Sequence, residues 1–461
     1  MKYVSTRAAT PEPVDFVTAA LAGLAPDGGL YSPMEYPRLE PAGRSESYTE
    51  LATRILSAFA GDAISEQVIG GIVERAYAPF DHKAVTPLVQ VGAGRWMLEL
   101  HHGPTLAFKD VAMRFIAQLY DYILTQRGDR MTILCATSGD TGGAAASAFA
   151  GSKAVDIVIL HPHERISPTQ RLFMTATGAP NVHNLALEGD FDGTQAILKS
   201  LIGDQQFKQK TGLAAVNSIN WARVAAQTVY FAFAQAQLGA TPATFVVPTG
   251  NFGDALAGYV AYKCGLLPTY SCVAAVNEND TMRRLLVGEP LVRRETTPTL
   301  SPAMDIQTPS NVERLLFEAS GRDGAAVRKF YRDYADNGRV EVPEKILAEL
   351  SGIGLTAELV TDAQTRIEMK RTFDETGWTV CPHSAVGLAA ARRVADDKAP
   401  IVSLATAHAA KFPETIREVL GQDAPLPPRA VDVAAREEVF ETGPMSDTFV
   451  RDRIEAIFAA H

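Results

Sequence analysis

The chain has little of several features that would each place it in a known class of proteins. Only four of its 461 residues are cysteine, widely spaced and without a C-x-x-C pair, so we expect neither a disulfide framework nor a cysteine zinc site. This cysteine usage fits a reducing compartment such as the cytoplasm. No apolar run reaches the ~20 residues of a membrane-spanning helix, and the N-terminal MKYVSTRAATPEPVDF lacks the apolar core of a secretory signal.

Positive charge is also in short supply. The sequence has 43 lysines and arginines against 53 aspartates and glutamates, which gives a net charge of −10. Because a nucleic-acid backbone must be met by a surplus of basic residues, general binding to DNA or RNA is not expected. The one hint of a metal ligand set, His161 and His163, has no third ligand nearby in the sequence, so we predict no metal site.

What the sequence does contain is an alternation of short apolar runs with helical patterns. This alternation is typical of a parallel sheet with crossover helices. The predicted strands are 132–137, 156–160, 183–188, 213–217, 244–248, 271–276 and 401–406. The predicted helices cover 110–125, a stretch that starts at 167–168, and 221–238. We expect Asp110 to cap the first helix and Ser167 the second.

These elements predict an α/β fold of open, twisted and mostly parallel sheets with helices on both faces. The length fits two or three domains. We divide the chain into a mainly helical N-terminal region at 1–92, an α/β domain at 93–240 and a second α/β domain at 241–461. The proline- and threonine-rich stretch 288–310 is expected to be a long connection. A helical insertion or cover is expected at about 311–380.

Three motifs each follow a predicted strand. They are TSGDTGG (137–143), PTGNFGD (248–254) and ATAHAAKF (405–412). Ligands of an open parallel sheet bind outside the carboxyl ends of its strands, so these motifs are the first candidates for a site. A fourth motif, GPTLAFKD (103–110), puts Lys109 at the start of a predicted helix. A solvated lysine at a helix start is the ordinary explanation, so a functional role for Lys109 needs support from the other motifs.

Two of these loops have the chemistry of anion receptors. Gly250 and Gly253 let backbone N–H groups approach an anion at a helix start, which favours phosphate. The loop has neither the lysine of a P-loop nor the G-x-G-x-x-G pattern, so nucleotide binding is not favoured. Thr137, Ser138 and Thr141 add hydroxyls to exposed amides at another helix start, which suits a carboxylate. Taken alone, a packing turn and a helix cap would explain the two loops.

A lysine amine, a phosphate cradle and a carboxylate receptor at one sheet edge have a single economical explanation. Together they describe pyridoxal 5'-phosphate bound to receive an amino acid. In this interpretation Lys109 forms an imine with the cofactor aldehyde, and the glycine loop anchors the cofactor phosphate. The hydroxyl-rich loop receives the α-carboxylate of the substrate.

The motifs also resemble those of a known family. HHGPTLAFKD, ATSGDTGGAAASAF, VVPTGNFGDALAGY and ATAHAAKFP, in this order and spacing, resemble the threonine synthases of the longer type, as do the N-terminal YVSTR and LAPDGGLY. The resemblance implies the two-domain α/β fold of the type II pyridoxal-phosphate enzymes, which is like that of the tryptophan synthase β chain. It also implies conversion of O-phospho-L-homoserine and water into L-threonine and phosphate, the last step of threonine biosynthesis. Whether the chain is a monomer or a homodimer stays open.

The resemblance assigns roles to positions. Lys109 matches the Schiff-base lysine, and Thr406 matches the hydroxyl residue that faces the pyridine nitrogen. Asp140 lies where related enzymes place an amide against the phenolic oxygen of the cofactor. Two anionic oxygens repel, so Asp140 is expected to be protonated or turned elsewhere. The phosphate-binding loop of the family matches Gly250, Asn251, Phe252, Gly253 and Asp254.

A phosphorylated substrate requires a second anion pocket. The segment NSINWAR (217–223) is the candidate, because Ser218, Asn220 and Arg223 follow a predicted strand and a guanidinium can grip phosphate through two N–H bonds. Lys411, just after the Thr406 motif, is a second candidate for this charge. The ordinary alternative for Arg223 is a surface salt bridge at a helix start.

Two other functions stay in competition. A threonine or serine dehydratase of the same fold would share the cofactor chemistry but would not need a pocket for substrate phosphate. A non-catalytic relative, which binds pyridoxal phosphate or phosphorylated metabolites for regulation, would not need a reactive amine at position 109.

Overall fold

The structure is a computed structural model that describes residues 1–137, 139–394 and 399–459. Within these residues the strands β1 to β15 are Tyr3–Ser5, Tyr31–Pro33, Leu88–Gly92, Arg95–Glu99, Met131–Ala136, Val155–Pro162, Val182–Glu188, Leu213–Ala215, Thr244–Pro248, Cys272–Val276, Leu291–Val292, Arg339–Val340, Leu355–Leu359, Ile401–Ala405 and Glu441–Pro444. The helices α1 to α19 are Phe16–Ala22, Tyr48–Ala60, Glu66–Tyr77, Lys109–Arg127, Asp140–Phe149, Pro168–Thr175, Phe191–Gly203, Gln205–Thr211, Trp221–Leu238, Gly253–Lys263, Thr281–Leu286, Val312–Ala319, Gly324–Asn337, Glu344–Gly352, Asp362–Thr376, Pro382–Ala391, Pro413–Leu420, Pro428–Ala434 and Asp447–Ala459.

Two mostly parallel sheets form the framework. The larger has six strands in the order β13-β10-β9-β14-β4-β3, and the smaller has five in the order β15-β7-β6-β5-β8. In these sheets β3 is antiparallel to its neighbour and the other pairs are parallel. Every residue of β6 and β10 is buried, because helices cover both faces of each sheet. The predicted fold class is confirmed.

The predicted strands and helices are present with ends shifted by two residues or fewer. One detail is wrong, because Asp110 does not cap α4. The helix begins one residue earlier, and the Asp110 carboxylate accepts hydrogen bonds from the N–H and the hydroxyl of Thr105, both at 2.7 Å. It therefore orders the loop before the helix. Gly103 makes room for it, since a Cβ at this position would overlap the Asp110 side chain.

The sheets do not follow the predicted domain ranges. β3 and β4, at 88–99, join the larger sheet, and β15 joins the smaller sheet from the C-terminal part of the chain. Register pairs Glu99 of β4 with Ala405 of β14. The ranges 93–240 and 241–461 therefore do not coincide with the two sheets. The alternation that marks the other strands is missing around β4, because no crossover helix connects it to β3.

The N-terminal region is mainly helical, as predicted, with α1 to α3 and the two-stranded β1-β2 sheet. Its aromatic rings pack on α9. The centroids of Tyr3 and Phe59 lie 6.0 Å and 5.7 Å from that of Trp221, the first residue of α9. The region predicted to be a helical cover contains α12 to α15, but its β13 forms an edge of the larger sheet. None of the helices described is both long and apolar enough to span a bilayer.

Candidate active site

The predicted site residues gather at the carboxyl ends of the strands. β9, β14 and β4 are neighbours and run parallel, so the loops that follow them meet at one edge. These loops carry Gly250, Thr406 and Lys109. The loops with 137–141 and 218–223 follow β5 and β8 of the smaller sheet. The lysine was predicted to share a domain with the carboxylate loop, but its strand belongs to the other sheet.

Backbone hydrogen bonds join the lysine loop to the Thr406 loop. The N–H of Phe108 donates to the carbonyl of Thr406 at 2.8 Å, and that of His408 donates to the carbonyl of Leu106 at 3.0 Å. Leu106 adopts a φ of 59°, in the left-handed region that few non-glycine residues occupy. The backbone therefore fixes the position of Lys109 relative to Thr406.

The Lys109 amine is buried among charges of both signs. Its Nζ lies 3.7 Å from Oδ2 of Asp140. Burial lowers the pKa of Lys109, and the positive charges of Lys411 and Arg223 lower it further, while Asp140 opposes the shift. A larger fraction of this amine is thus unprotonated than in a solvated lysine, as a nucleophile or a proton acceptor requires.

Asp140 is held as a carboxylate. Its Oδ1 lies 2.8 Å from Nζ of Lys411 and accepts a longer hydrogen bond from Gln170 at 3.4 Å. Burial raises the pKa of Asp140, but Lys411 and Lys109 outweigh burial and hold the pKa well below its usual range. Of the two predicted alternatives, the structure favours a carboxylate turned to a cationic partner over a protonated one.

The ammonium group of Lys411 already has two partners inside the protein. Its side chain is 1% exposed and donates to the carbonyl of Thr105 at 2.9 Å in addition to Asp140. Its predicted contact with a substrate phosphate would compete with these partners. That contact stays a prediction.

The Gly250 loop has the form of a backbone cradle. Phe252, with a φ of 60°, immediately precedes α10. A Cβ at Gly250 would stand 2.8 Å from the carbonyl oxygen of Ala303 and 3.1 Å from Cα of Met304, so no larger residue fits. The Asn251 carbonyl accepts from the backbone and side-chain N–H groups of Asn311. The first N–H groups of α10 stay available for an anion.

The Asp254 carboxyl group contributes to this cradle in an unexpected way. It accepts a hydrogen bond from the Tyr230 hydroxyl, and burial raises its pKa to about 7. Its charge is therefore weakened near neutral pH. A phosphate in the cradle would be held by backbone N–H groups, with little repulsion from Asp254.

Arg223 is a buried cation without an anion. The residue is 4% exposed, and burial lowers the pKa of its guanidinium to about 10. Across the described part of the chain no hydrogen bond or ion pair engages this guanidinium, so the surface salt bridge proposed as an alternative is wrong. A buried charge is costly unless paired. An anion from a ligand would supply the missing partner.

The other members of the predicted phosphate pocket have structural partners. The amide of Asn220 donates to the Ala20 carbonyl and to Tyr120, and its oxygen caps α9 by accepting from the N–H of Ala222. No N–H of this amide is left for an anion. The backbone carbonyl of Ser218 accepts from Asn311, and a contact of its hydroxyl with a phosphate stays a prediction.

The hydroxyl-rich loop also caps its helix. Oγ1 of Thr137 accepts from the N–H groups of Gly139 and Gly142, both at 3.0 Å. Thr141 is half-buried in the first turn of α5. Ser138 lies outside the described residues. The carboxylate-binding role of the loop stays a prediction.

Sequence reasoning missed His383. This buried residue in the first turn of α16 lies close enough to Asp140, Lys109 and Lys411 for their charges to affect it. Its segment, CPHSAVG, reads as an ordinary helix start with proline at the first position. No local signal separates this histidine from a core residue.

A second cluster lies next to the lysine loop. Glu99, His101 and His102 place potential metal-ligand atoms within 4.8 Å of one another. His102 lies between two carboxylates, with Nε2 2.9 Å from Glu99 and Nδ1 2.8 Å from Asp81. These hydrogen bonds raise the pKa of His102 against the effect of burial. A protonated imidazole therefore explains the cluster without a metal ion.

The site fits a phosphorylated aldehyde cofactor on three grounds. It has a buried amine of lowered pKa at Lys109, a backbone cradle at Gly250 that a Cβ would fill, and a hydroxyl on Thr406, whose backbone carbonyl is tied to the lysine loop. Aldehyde, phosphate and ring nitrogen of pyridoxal phosphate need these three kinds of group.

Comparisons with known proteins give the same family along the whole chain. Residues 80–406 match the model for pyridoxal-phosphate dependent enzymes, residues 2–77 that for the threonine synthase N terminus and residues 384–454 that for the threonine synthase C-terminal part. Threonine synthase from Pseudomonas aeruginosa is 42% identical over 446 residues, with 95% of this chain and 94% of the relative covered.

Solved structures agree. Threonine synthase from Brucella melitensis, crystallised with pyridoxal phosphate bound, matches with a TM-score of 0.95 and 44% identity over 99% of both chains. The yeast threonine synthase structure matches with a TM-score of 0.94 and 34% identity, covering 100% of this chain and 99% of that one.

Proposed function

Since the chain belongs to the threonine synthase family, we propose that it converts O-phospho-L-homoserine and water into L-threonine and phosphate. The observation that supports the proposal most strongly is the presence of two buried cations with different surroundings. Lys109 has the lowered pKa of a reactive amine, and the Arg223 guanidinium has no anionic partner among the described residues. The first suits the cofactor, and the second suits a phosphorylated substrate.

Three groups would hold the cofactor. Lys109 would reach its aldehyde, the backbone N–H groups at 250–254 its phosphate, and the Thr406 hydroxyl its ring nitrogen. When bound, pyridoxal phosphate links covalently to an amine and spreads the negative charge that develops on neighbouring carbon atoms. A hydroxyl at the ring nitrogen leaves that nitrogen neutral, so the cofactor would be a milder electron acceptor than beside a carboxylate.

Lys109 would also move protons. Once the substrate amine takes its place on the cofactor, the freed amine lies beside Cα and Cβ of the substrate, where it can accept a proton from each. Because its pKa is lowered, a larger fraction of Lys109 than of a solvated lysine is free to accept these protons. Loss of the substrate phosphate, protonation at Cγ, addition of water at Cβ and return of a proton to Cα complete the balance of atoms.

Arg223 would bind the phosphate that leaves. A guanidinium offers two parallel N–H donors to a phosphate, and its burial strengthens each of these hydrogen bonds. The loop at 137–141 would receive the α-carboxylate at the start of α5. Asn220 is left out of this pocket, because its amide is occupied by Ala20, Tyr120 and the cap of α9.

The setting of the enzyme follows from composition and burial. All four cysteines are buried and free, which supports the cytoplasm or another reducing compartment. The substrate is a small anion, and the active form would be a monomer or a homodimer.

The deciding experiment measures phosphate and threonine together. The purified protein with pyridoxal phosphate should release one phosphate from O-phosphohomoserine for each threonine formed. Lys109→Ala should lose at least about 10³-fold in kcat, while Lys345→Ala, at an exposed helical site, should keep it. A dehydratase would form a keto acid and ammonia instead, and a non-catalytic relative would release no phosphate.

A further inference from the structure

His383 occupies a fixed position beside the proposed cofactor. Its helix α16 packs tightly on the larger sheet, where a Cβ at Gly387 would stand 2.8 Å from both Cγ of Pro248 and Oγ of Ser403. These two residues belong to β9 and β14. The start of α16 therefore lies at the same carboxyl edge as the phosphate cradle and Thr406.

Hydrogen bonds tie this start to both ends of the cofactor site. Nε2 of His383 accepts from the N–H of Ala303 at 3.1 Å, and the carbonyl of Ala303 borders Gly250 in the cradle. The next residue, Ser384, accepts at Oγ from the N–H of Thr406 at 3.2 Å. His383 thus lies between the group that would hold the cofactor phosphate and the group that would face its ring nitrogen.

The protonation state of His383 follows from its neighbours. Burial, with the positive charges of Lys109 and Lys411, lowers its pKa to about 4 against the opposing charge of Asp140. The imidazole is therefore neutral at physiological pH. Because Nε2 accepts a hydrogen bond, the single ring proton must be on Nδ1.

This proton has no acceptor. His383 is 4% exposed, and Nδ1 has no hydrogen-bond partner among the described residues. A buried donor without an acceptor costs free energy, and native proteins keep few of them. Burial keeps the ring from water and the hydrogen bond from Ala303 orients it, so a ligand would have to supply the acceptor.

We propose that His383 is a cofactor-contacting residue whose Nδ1–H donates a hydrogen bond to bound pyridoxal phosphate. The inference rests on the cofactor assignment in the proposed function and adds a neutral donor to it. Such a donor stabilises negative charge on the cofactor without adding a third positive charge to those of Lys109 and Lys411.

Two substitutions test the roles of the two ring nitrogens of His383 separately. The amide of His383→Asn can replace the donor at Nδ1 but does not reach Ala303, whereas that of His383→Gln reaches Ala303 and loses the Nδ1 donor. The apoproteins are titrated with pyridoxal phosphate, and both Kd and the absorbance maximum of the bound cofactor are recorded. His183→Gln, on β7 of the smaller sheet, is the control.

We expect His383→Gln to weaken cofactor binding about tenfold and to shift the absorbance maximum. His383→Asn should bind within about twofold of the wild type, although its thermal midpoint should fall through the lost Ala303 contact. A Gln variant with the Kd and spectrum of the wild type would overturn the inference and leave a purely structural histidine. Wild-type protein that binds no cofactor would instead overturn the proposed function.

A measurement on the wild type covers the case of variants that fail to fold. In protein labelled with 15N at histidine, the Nδ1 signal of His383 should move when pyridoxal phosphate is added. An unchanged signal at saturation would exclude the hydrogen bond.

Discussion

Nζ of Lys411 and Oδ1 of Asp140 form a buried ion pair at 2.8 Å, next to the amine of Lys109 at 3.7 Å from the same carboxylate. The pair has two effects on the reactive lysine. It offsets part of the attraction that Asp140 exerts on a protonated Lys109, and it brings a second positive charge close. Both effects keep Lys109 easy to deprotonate.

Lys411→Met should reverse these effects. Asp140 then has Lys109 as its remaining ammonium partner, so the pKa of Lys109 rises and the acid limb of the pH profile of kcat/KM moves to higher pH. The unfolding free energy should fall by about 3–5 kcal/mol, because a buried charge loses its partner. Urea unfolding of the double variant with Asp140→Asn is the control, and it should recover part of this loss. Equal losses in the single and double variants would contradict the coupling.

Arg223→Met should separate activity from stability. Arg223 has no partner to lose within the described structure, so we expect an unchanged or higher unfolding free energy with a loss of about 10²-fold or more in kcat/KM. Arg314→Met is the matched control, because Arg314 is equally buried but donates to the carbonyls of Tyr31 and Ile219 and to Asn311. That variant should lose about 3–5 kcal/mol. Destabilisation of both variants alike would count against an empty anion site.

Gly250→Ala should damage the phosphate cradle. The new Cβ would stand 2.8 Å and 3.1 Å from backbone atoms of Ala303 and Met304, which cannot move aside as a flexible side chain can. We expect cofactor binding at least about tenfold weaker and about 1–3 kcal/mol of lost stability. Gly203→Ala, with no atom within 4 Å of its new Cβ, should be neutral or slightly stabilising. Equal cofactor affinity in the two variants would argue against the cradle.

His102 should give the protein a pH-dependent stability. Its pKa is raised in the folded state by Glu99 and Asp81 against the effect of burial. The stabilisation is thus complete below the unfolded value of about 6.5 and is lost as pH rises through the folded pKa. In denaturant unfolding above about pH 6.5, the wild type should lose its advantage over His102→Gln. A constant difference between the two proteins across this range would exclude the protonated bridge.

Much of the framework is predictable from local sequence because buried parallel strands must be apolar along their whole length. β6 and β9 were predicted for this reason, and so was the position of Gly250 and Thr406 after their strands. Lys109 was predicted at a helix start, but the strand before it was not predicted. Local spacing was not sufficient for Asp110. From its position in the sequence, Asp110 could either cap α4 or accept hydrogen bonds from Thr105. The space that Gly103 leaves for its side chain decides between the two, and this space is visible only in the three-dimensional structure.

The remaining features depend on contacts between distant segments. The pairing of Asp140 with Lys411 joins residues after strands of different sheets, and the short β4 is recognisable as a strand only when β14 lies beside it. His383 has no motif around it. Its proposed role follows from a buried Nδ1 proton that has no acceptor among the described residues, which the sequence alone cannot show.

The two sheets hold different parts of the proposed site, and this arrangement has a consequence for turnover. The three groups proposed to hold the cofactor, Lys109, the loop at 250–254 and Thr406, follow strands of the larger sheet, while Arg223 and the loop at 137–141 follow strands of the smaller one. A slight opening between the sheets would thus weaken the contacts of Arg223 and the 137–141 loop with phosphate and threonine, while the cofactor would stay bound. Products could depart after each cycle without carrying the catalyst's coenzyme away.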